Sequence, residues 1–476
     1  MSVVSTSENT LEAQQRTPFV RWDLFLLIFL MPFDWLKVPA IGFRSVVWVA
    51  MLVPLVRLLL TPETSFRQLL KFLGRAPYVH AAYVVYLLVL MASIFWGPNL
   101  DVGISDLSRA IGQFIFYLIV GTTLFTSKYE TIARTICFAV PTALVVFAVY
   151  CQYVFMAQGD SFVNQLVLAA ASGQSNAIAG KVLKNIVNFQ FNSMSLDRQV
   201  TVTASVRNSL GSTLFIFLFM VLVFSNNRFR SQSELRLGRG FRPIRIGIIV
   251  FILCAVFVLM SRANTILLLG APFVCCAIQL LSRRLISRNS IVLPALLLAF
   301  VLGGSVITFL AFGENDFLAL NVQRMNEIST DVRFEHYEDI YRLVSRSPWI
   351  GYGLGADTPD GRKVHNLFLG LWYRAGVVGL VVSTIFYISI LISYVSKSIN
   401  TQSIAFWLPA LLLEPLLRAP LIGGQGGRFC RTEWLAISLF FYFCYATSSR
   451  PQSAIPDDIP REISRRKLPD LHAVGH

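Results

Sequence analysis

Charge is what this sequence has least of. Only 14% of its 476 residues are Asp, Glu, Lys or Arg, against about 25% in soluble domains. Hydrophobic residues make up 55%, and the mean hydropathy is +0.61. That balance excludes a soluble globular domain and predicts a polytopic membrane protein. Cysteine is sparse and scattered: of the seven, Cys137, Cys151, Cys254, Cys275, Cys276 and Cys444 lie in apolar runs. A disulfide framework or a zinc cage is therefore not expected, and no metal or cofactor is implied. Histidine is scarcer still, at five. The opening stretch, MSVVSTSENTLEAQQRTPFV, is polar and lacks a small-residue cleavage site after an apolar run. The first hydrophobic stretch thus reads as an uncleaved membrane helix rather than a signal peptide.

A helix needs about 20 apolar residues to cross the hydrocarbon. On that basis the sequence predicts twelve spans: 20–36, 42–60, 78–96, 104–125, 132–157, 205–225, 244–261, 264–281, 291–312, 366–395, 403–418 and 432–447. The expected fold class is all-α, a polytopic membrane bundle of about twelve transmembrane helices with two long outer segments containing short amphipathic helices. In order along the chain, residues 1–19 form a cytoplasmic N-terminal segment and 20–157 hold helices one to five. The first long outer segment is 158–204, and 205–312 hold helices six to nine. The second outer segment is 313–365, residues 366–447 hold helices ten to twelve, and 448–476 form a cytoplasmic tail. The tail is proline-rich and charged, a composition that predicts disorder.

Basic residues set the orientation. The formal net charge is +15, and with twelve spans four basic clusters share one side: Arg57 to Arg75, Arg228 to Arg245, Arg283 to Arg288, and the tail. Positive charge marks the cytoplasmic side, so both termini are expected there; the excess reads as membrane topology and lipid contact, with no nucleic-acid partner implied. The opposite side then carries the two long segments and the loop GGQGGRFCRTEW at 423–434. In the first segment, Ile178, Val182, Ile186 and Phe189 form a stripe that suits a helix on the membrane surface. In the second, VRFEHYEDIYRLVSR places Phe334, Tyr337, Tyr341 and Val344 at helical spacing, and SPWIGYGLGADTPDG supplies a break and turns.

The outer side also holds more arginine than a simple topology predicts: Arg207, Arg262, Arg324, Arg333, Arg342, Arg346, Arg362, Arg428 and Arg431, with Lys363. Guanidinium binds phosphate through a planar, always-charged fork, so arginines at headgroup level suggest a lipid-linked phosphate or diphosphate ligand. Arg342 and Arg346 can instead pair with Glu335, Glu338 and Asp339 along an exposed helix. Arg262 stands apart because it sits where two apolar helices nearly touch, a costly place for an ion and hence a functional candidate.

His365 opens the run HNLFLGLWYRAGVVG. Leu369, Trp372, Gly376 and Gly379 follow at steps of four, three, four and three, so a continuous helix places them on its face. Gly376 and Gly379 would let another helix approach closely and so support the histidine, with Asn366 beside it. A helix N-terminus carries partial positive charge that disfavours imidazolium. A neutral imidazole can take a proton from a sugar hydroxyl as a general base; a histidine that only caps a helix end is the plain alternative. Arg374 lies well inside the apolar run and needs an acidic partner, for which Glu414 is the sequence candidate.

These pieces resemble the bacterial O-antigen ligase and O-antigen polymerase superfamily. HNLFLGLWYRAGVVG is similar to that family's histidine, amide residue, nine-residue gap and Gly-x-x-Gly. SPWIGYGLG resembles its Pro-x-x-Gly-x-Gly segment, SRA at 261–263 its Ser-Arg-Gly/Ala turn, and VRN at 206–208 the polar start of a middle helix. The resemblance implies metal-independent glycosyl transfer at the periplasmic face of the inner membrane, from a glycan carried on undecaprenyl diphosphate, with inversion at the anomeric centre. It implies that Arg262 and Arg333 hold the diphosphate and that His365 is the base; Arg207, on the same side, joins the diphosphate candidates. Many members carry an acidic residue where Arg374 stands and another at Gly370, a tryptophan where Tyr337 stands, and a polar extension where LVVST follows Gly379. The missing extension favours a polymerase of a surface polysaccharide, acting on an acceptor glycan, over a ligase passing glycan to lipid A core or to a protein hydroxyl. A twelve-helix transporter fits the span count, but the halves show no repeat of the kind such transporters are built from.

Overall fold

The structure, a computed structural model, describes residues 20–34, 37–38, 44–157, 199–225, 245–250, 252, 262–281, 332–356, 358, 364, 366–401, 405–417 and 430–448. The predicted surface helix at 178–189, the span 291–312 and the cytoplasmic tail lie outside these residues. Along the chain come α1 (Trp22–Leu30, continued by a 3-10 turn Met31–Phe33), a two-rung antiparallel ladder β1 (Lys37–Val38) with β2 (Arg44–Ser45), α2 (Val46–Leu60), α3 (Pro62–Leu73) and α4 (Pro77–Ala92, continued to Trp96). Then follow α5 (Leu100–Phe125), α6 (Tyr129–Ala157), α7 (Gln199–Phe224), α8 (Arg262–Leu281), α9 (Val332–Arg346), α10 (Leu367–Thr401) and α11 (Arg431–Ser448).

Apart from the two-rung β1–β2 ladder the described elements are helical, as the sequence predicts, and four helices are long and apolar enough to cross a membrane: Pro77–Trp96, Leu100–Phe125, Tyr129–Tyr150 and Leu367–Ser398. A fifth counts if the bent pair α2–α3 is one span, and Trp22–Phe33, Leu210–Phe224 and Leu267–Gln279 are shorter apolar helices. The expected spans 20–36 and 403–418 are not continuous. Pro32 turns the end of α1 into a 3-10 turn, and Pro409 opens another, Pro409–Leu412, within 405–417; proline removes a backbone donor and tightens the chain there.

α7 and α11 form the centre. Residues 210–225 and 432–444 are buried along their whole length, which explains why neither has an amphipathic pattern: a helix surrounded by helices is apolar all round. Thr213 and Thr432 hydroxyls lie 3.2 Å apart, and Phe224 meets Phe443 eleven residues further along each helix, so the two run parallel. α5 joins them in the same direction, with Tyr117 against Trp434 and Phe125 against Tyr445.

The segment after α2, expected as a loop, is instead α3, turned 111° from α2. Its Phe72 is fully buried against Tyr117, Phe125 and His80, in a space that Gly121 leaves open. His80 locks the corner. Its Nδ1 lies 3.0 Å from the Leu73 carbonyl, which only accepts, so Nδ1 carries the proton and Nε2 accepts from Tyr117 Oη at 2.9 Å. At the same end, Arg21 forks onto Asp23 at 2.9 and 2.6 Å and donates to Thr126 and Ser127, while Arg57 reaches Asp23 at 3.7 Å and Arg75 covers Tyr445 at 4.3 Å. The basic stretch 57–75 thus gathers where α5 and α11 end. The opposite end of α5, at Gly103, is about 27 Å away from Gly121 at 1.5 Å per residue, close to a hydrocarbon thickness.

Candidate functional site

At that far end, residues 347–356 form a strap across the tips of α4 and α5 and a break in α10. The break is at Ala375–Gly376, where Gly376 has φ 62° and ψ −157°, a region open essentially to glycine alone. Breaking a helix orphans its carbonyls and amides, and the strap takes them up. Tyr352 N donates to Tyr373 O at 2.7 Å, Gly353 N to Arg374 O at 2.9 Å, and Val377 N to Pro348 O at 2.9 Å. Leu354 N donates to Ser93 O at 2.9 Å, and the indoles of Trp96 and Trp372 donate to Ile350 O and Pro348 O at 3.1 and 3.2 Å. Gly351, Gly353 and Gly355 all have positive φ. Gly353 lies so close to the Gly97 backbone that no side chain fits. The Pro-x-x-Gly-x-Gly stretch is therefore the mate of the helix break.

This corrects the reading of Gly376 and Gly379. The break interrupts the continuous face counted from His365, and it is the strap at Trp349–Ile350, not another helix, that occupies the space beside Gly376. Gly379 accommodates the bend itself: a side chain there would strike Leu371 O and lie 2.8 Å from Ala375 Cβ of its own helix.

His365 lies outside the described residues, but both neighbours are placed. Val364 is buried, and Asn366 is the α10 N-cap, its Oδ1 accepting from Phe368 N at 2.9 Å and Leu369 N at 3.1 Å. Val364 belongs to a small separate core with Ile340, Val344, Ala356 and Tyr373. That core seats α9, the helix that carries Arg333, against Val364 and the first turns of α10. Arg333 is seven residues before Ile340 and shares its face by register. The buried pair on α9 is Ile340 and Val344, whereas Tyr341, expected in the stripe, is 56% exposed and touches Trp372 edge-on. Arg342 pairs with Glu338 at 2.6 Å on the exposed side, as its i,i+4 spacing predicts.

Arg262 is the first residue of α8, which is anchored deeper, through buried Ala271 and Cys275, and packs against α10 and the Pro409–Leu412 turn. Arg207 lies on α7, six residues and about 9 Å from Thr213, on the side of Thr213 away from Phe224. Of Arg207, Arg262 and Arg333 the backbone alone is described.

Sequence reasoning missed one partner of Arg374. The structure pairs it with Asp106 of α5 at 3.5 Å, both nearly inaccessible, and Asp106 also faces Arg109 at 3.5 Å, a pairing the sequence reading did not name. The pair lies one turn beneath the strap and ties α10 at its break to α5. No spacing rule could join residues so far apart in the chain. The usable signal was Asp106 itself, an acid in an apolar run.

Fold and site together define a multi-pass helical membrane protein with a polar centre at one membrane face, built around a broken helix and its strap. Residues 247–383 match the family model described as O-antigen ligase. The match covers Arg262, Arg333, His365 and the Gly376/Gly379 break and leaves out Arg207; it supports membership of the chain in the O-antigen ligase and polymerase superfamily, whose members are glycosyltransferase-type enzymes. No curated protein matches the chain.

Proposed function

We propose that the chain is a periplasmic-face glycosyltransferase of the inner membrane that polymerises repeat units of a surface polysaccharide from an undecaprenyl-diphosphate-linked donor. The observation that carries the reading is the match over 247–383 combined with the small core that seats the Arg333 helix against Val364 and the start of α10. In this reading an acceptor sugar hydroxyl attacks the anomeric carbon of the donor. His365 takes the hydroxyl proton, the bond to the diphosphate breaks with its electron pair leaving on the phosphate oxygen, and the anomeric configuration inverts. Arg262, Arg333 and Arg207 offset the charge that develops on the leaving diphosphate. The Asn366 cap fixes the start of α10 immediately after His365, which supports a base positioned for attack. The reaction as proposed calls on no metal or cofactor.

A ligase that moves the glycan to lipid A core, or to a protein hydroxyl, uses the same donor chemistry and differs only in acceptor. Purified protein incubated with undecaprenyl-diphosphate-linked repeat units, without lipid A, is expected to give a glycan ladder on a gel. His365→Ala should abolish it, a loss of at least about 100-fold for a general base. A product that forms only when lipid A core or an acceptor protein is added identifies a ligase. A mutant as active as the wild type removes His365 from the mechanism.

A further inference from the structure

A second polar cluster lies deeper, outside the matched stretch. α1 ends at Asp34, α2 starts after Ser45 and α11 starts at Arg431, all at one level. Arg431 Nη2 sits 2.8 Å from Asp34 Oδ1, and Ser45 Oγ donates to the same oxygen at 2.5 Å. The Arg431 guanidinium lies 5.2 Å from the Trp48 ring, and that ring fills the space beside Gly112 of α5. Gly112 is 13 residues from Phe125 and 9 from Gly103, so the cluster is about 20 Å from the basic end and about 14 Å below the strap.

The charges oppose the helices that carry them. Arg431 is a cation in the first turn of α11, and Asp34 an anion at the end of α1, the reverse of what helix dipoles favour. A buried ion pair is seldom more stabilising than apolar packing, and ions at this depth mark function by default. The pair also retains binding capacity. Arg431 Nε is buried without a hydrogen bond among the described residues. The Arg431 and Asp34 side chains nonetheless keep 17% and 14% exposure. Guanidinium donors, a carboxylate acceptor, a hydroxyl and an indole suit a neutral polyhydroxylated ligand. A phosphate would meet the Asp34 carboxylate, with buried Glu433 two residues beyond Arg431.

We propose that Arg431, Asp34 and Trp48 bind a sugar residue of the glycan substrate, a subsite below the reacting centre that grips the chain away from the bond being made. This rests on the transfer reading for its purpose, and its test does not. Delipidated oligosaccharide fragments of the producing cell's own surface polysaccharide, radiolabelled, are added to the purified full-length protein in nanodiscs, and binding is read by equilibrium dialysis. The expected result is saturable binding that weakens about tenfold or more in Asp34→Asn and in Trp48→Phe. Arg431→Lys should bind between these and wild type, and Arg67→Gln, at the opposite end, should bind as wild type does. Hydrogen exchange on the wild type should show protection by the fragments at 46–52 and 430–435, which keeps the question decidable if a variant fails to fold. No binding to the wild type, equal binding by all variants, or protection confined to other segments overturns the subsite. Binding at this cluster in a protein that builds no ladder keeps the subsite and removes the transfer reading; a ladder without fragment binding does the reverse.

Discussion

At the scale of single residues, Arg374 shows how a charge is tolerated inside an apolar helix. Its carbonyl is taken by Gly353 N, and its guanidinium faces Asp106. Removing one partner of a buried pair strands the other, at a cost of about 3–5 kcal/mol. Arg374→Met and Asp106→Leu are each expected to lower unfolding stability in detergent by that order, and the double variant by clearly less than their sum. Additivity within about 0.5 kcal/mol would mean the two are not coupled. The motif glycines were legible in the sequence, but their reason was not. Gly376 permits a break that no periodicity announces, and Gly353 permits a backbone contact with a segment far away in the chain.

At the scale of elements, the strap and α9 work as one unit. Tyr352 Oη donates to Leu343 O at 2.9 Å and its ring stacks on Tyr373 at 4.9 Å, so the end of α9, the strap and the break in α10 share side chains. Ile340→Ala opens a cavity in the small core that unites them, an expected loss of about 2–5 kcal/mol. Because the Arg333 helix then loosens from Val364 and the start of α10, transfer should fall more than protein yield does. The measurement is the initial rate per folded protein, set beside an Ile340→Val control that keeps most of the volume; equal rates in all three would detach α9 from catalysis. α3 shows another limit of sequence reading. Its segment reads as a basic loop, yet Ser65 and Phe72 pack inward while Phe66 and Leu70 face outward and Arg67 and Lys71 lie beyond them. That three-way division of helix faces places it at a membrane interface.

At the scale of the whole molecule, two ends of different chemistry lie about a bilayer apart. One gathers Arg21, Arg57 and Arg75; the other carries the strap, the Arg374–Asp106 pair and the capped start of α10. Under the positive-inside rule the first faces the cytoplasm. In a cysteine-free background, Trp349→Cys on the strap should react with a membrane-impermeant maleimide in cells with a permeabilised outer membrane. Arg75→Cys should react only after the inner membrane is opened. Trp349 is 73% exposed, so its failure to label would reverse the topology rather than reflect burial.

The sequence by itself determined that the chain is helical and membrane-embedded, where its positive charge collects, and which short motifs carry its family resemblance. These are properties of composition and local spacing, which need no partner to be read. Only the tertiary structure decided which helices run the full depth, that α10 breaks at Gly376 and is mended by the strap, that Arg374 pairs with Asp106, and that Asp34 meets Arg431 at three helix ends. Each of these joins groups from distant parts of the chain through geometry alone, because a buried backbone or charged group must find a partner wherever the packing brings one. Local sequence states the need and packing chooses the partner.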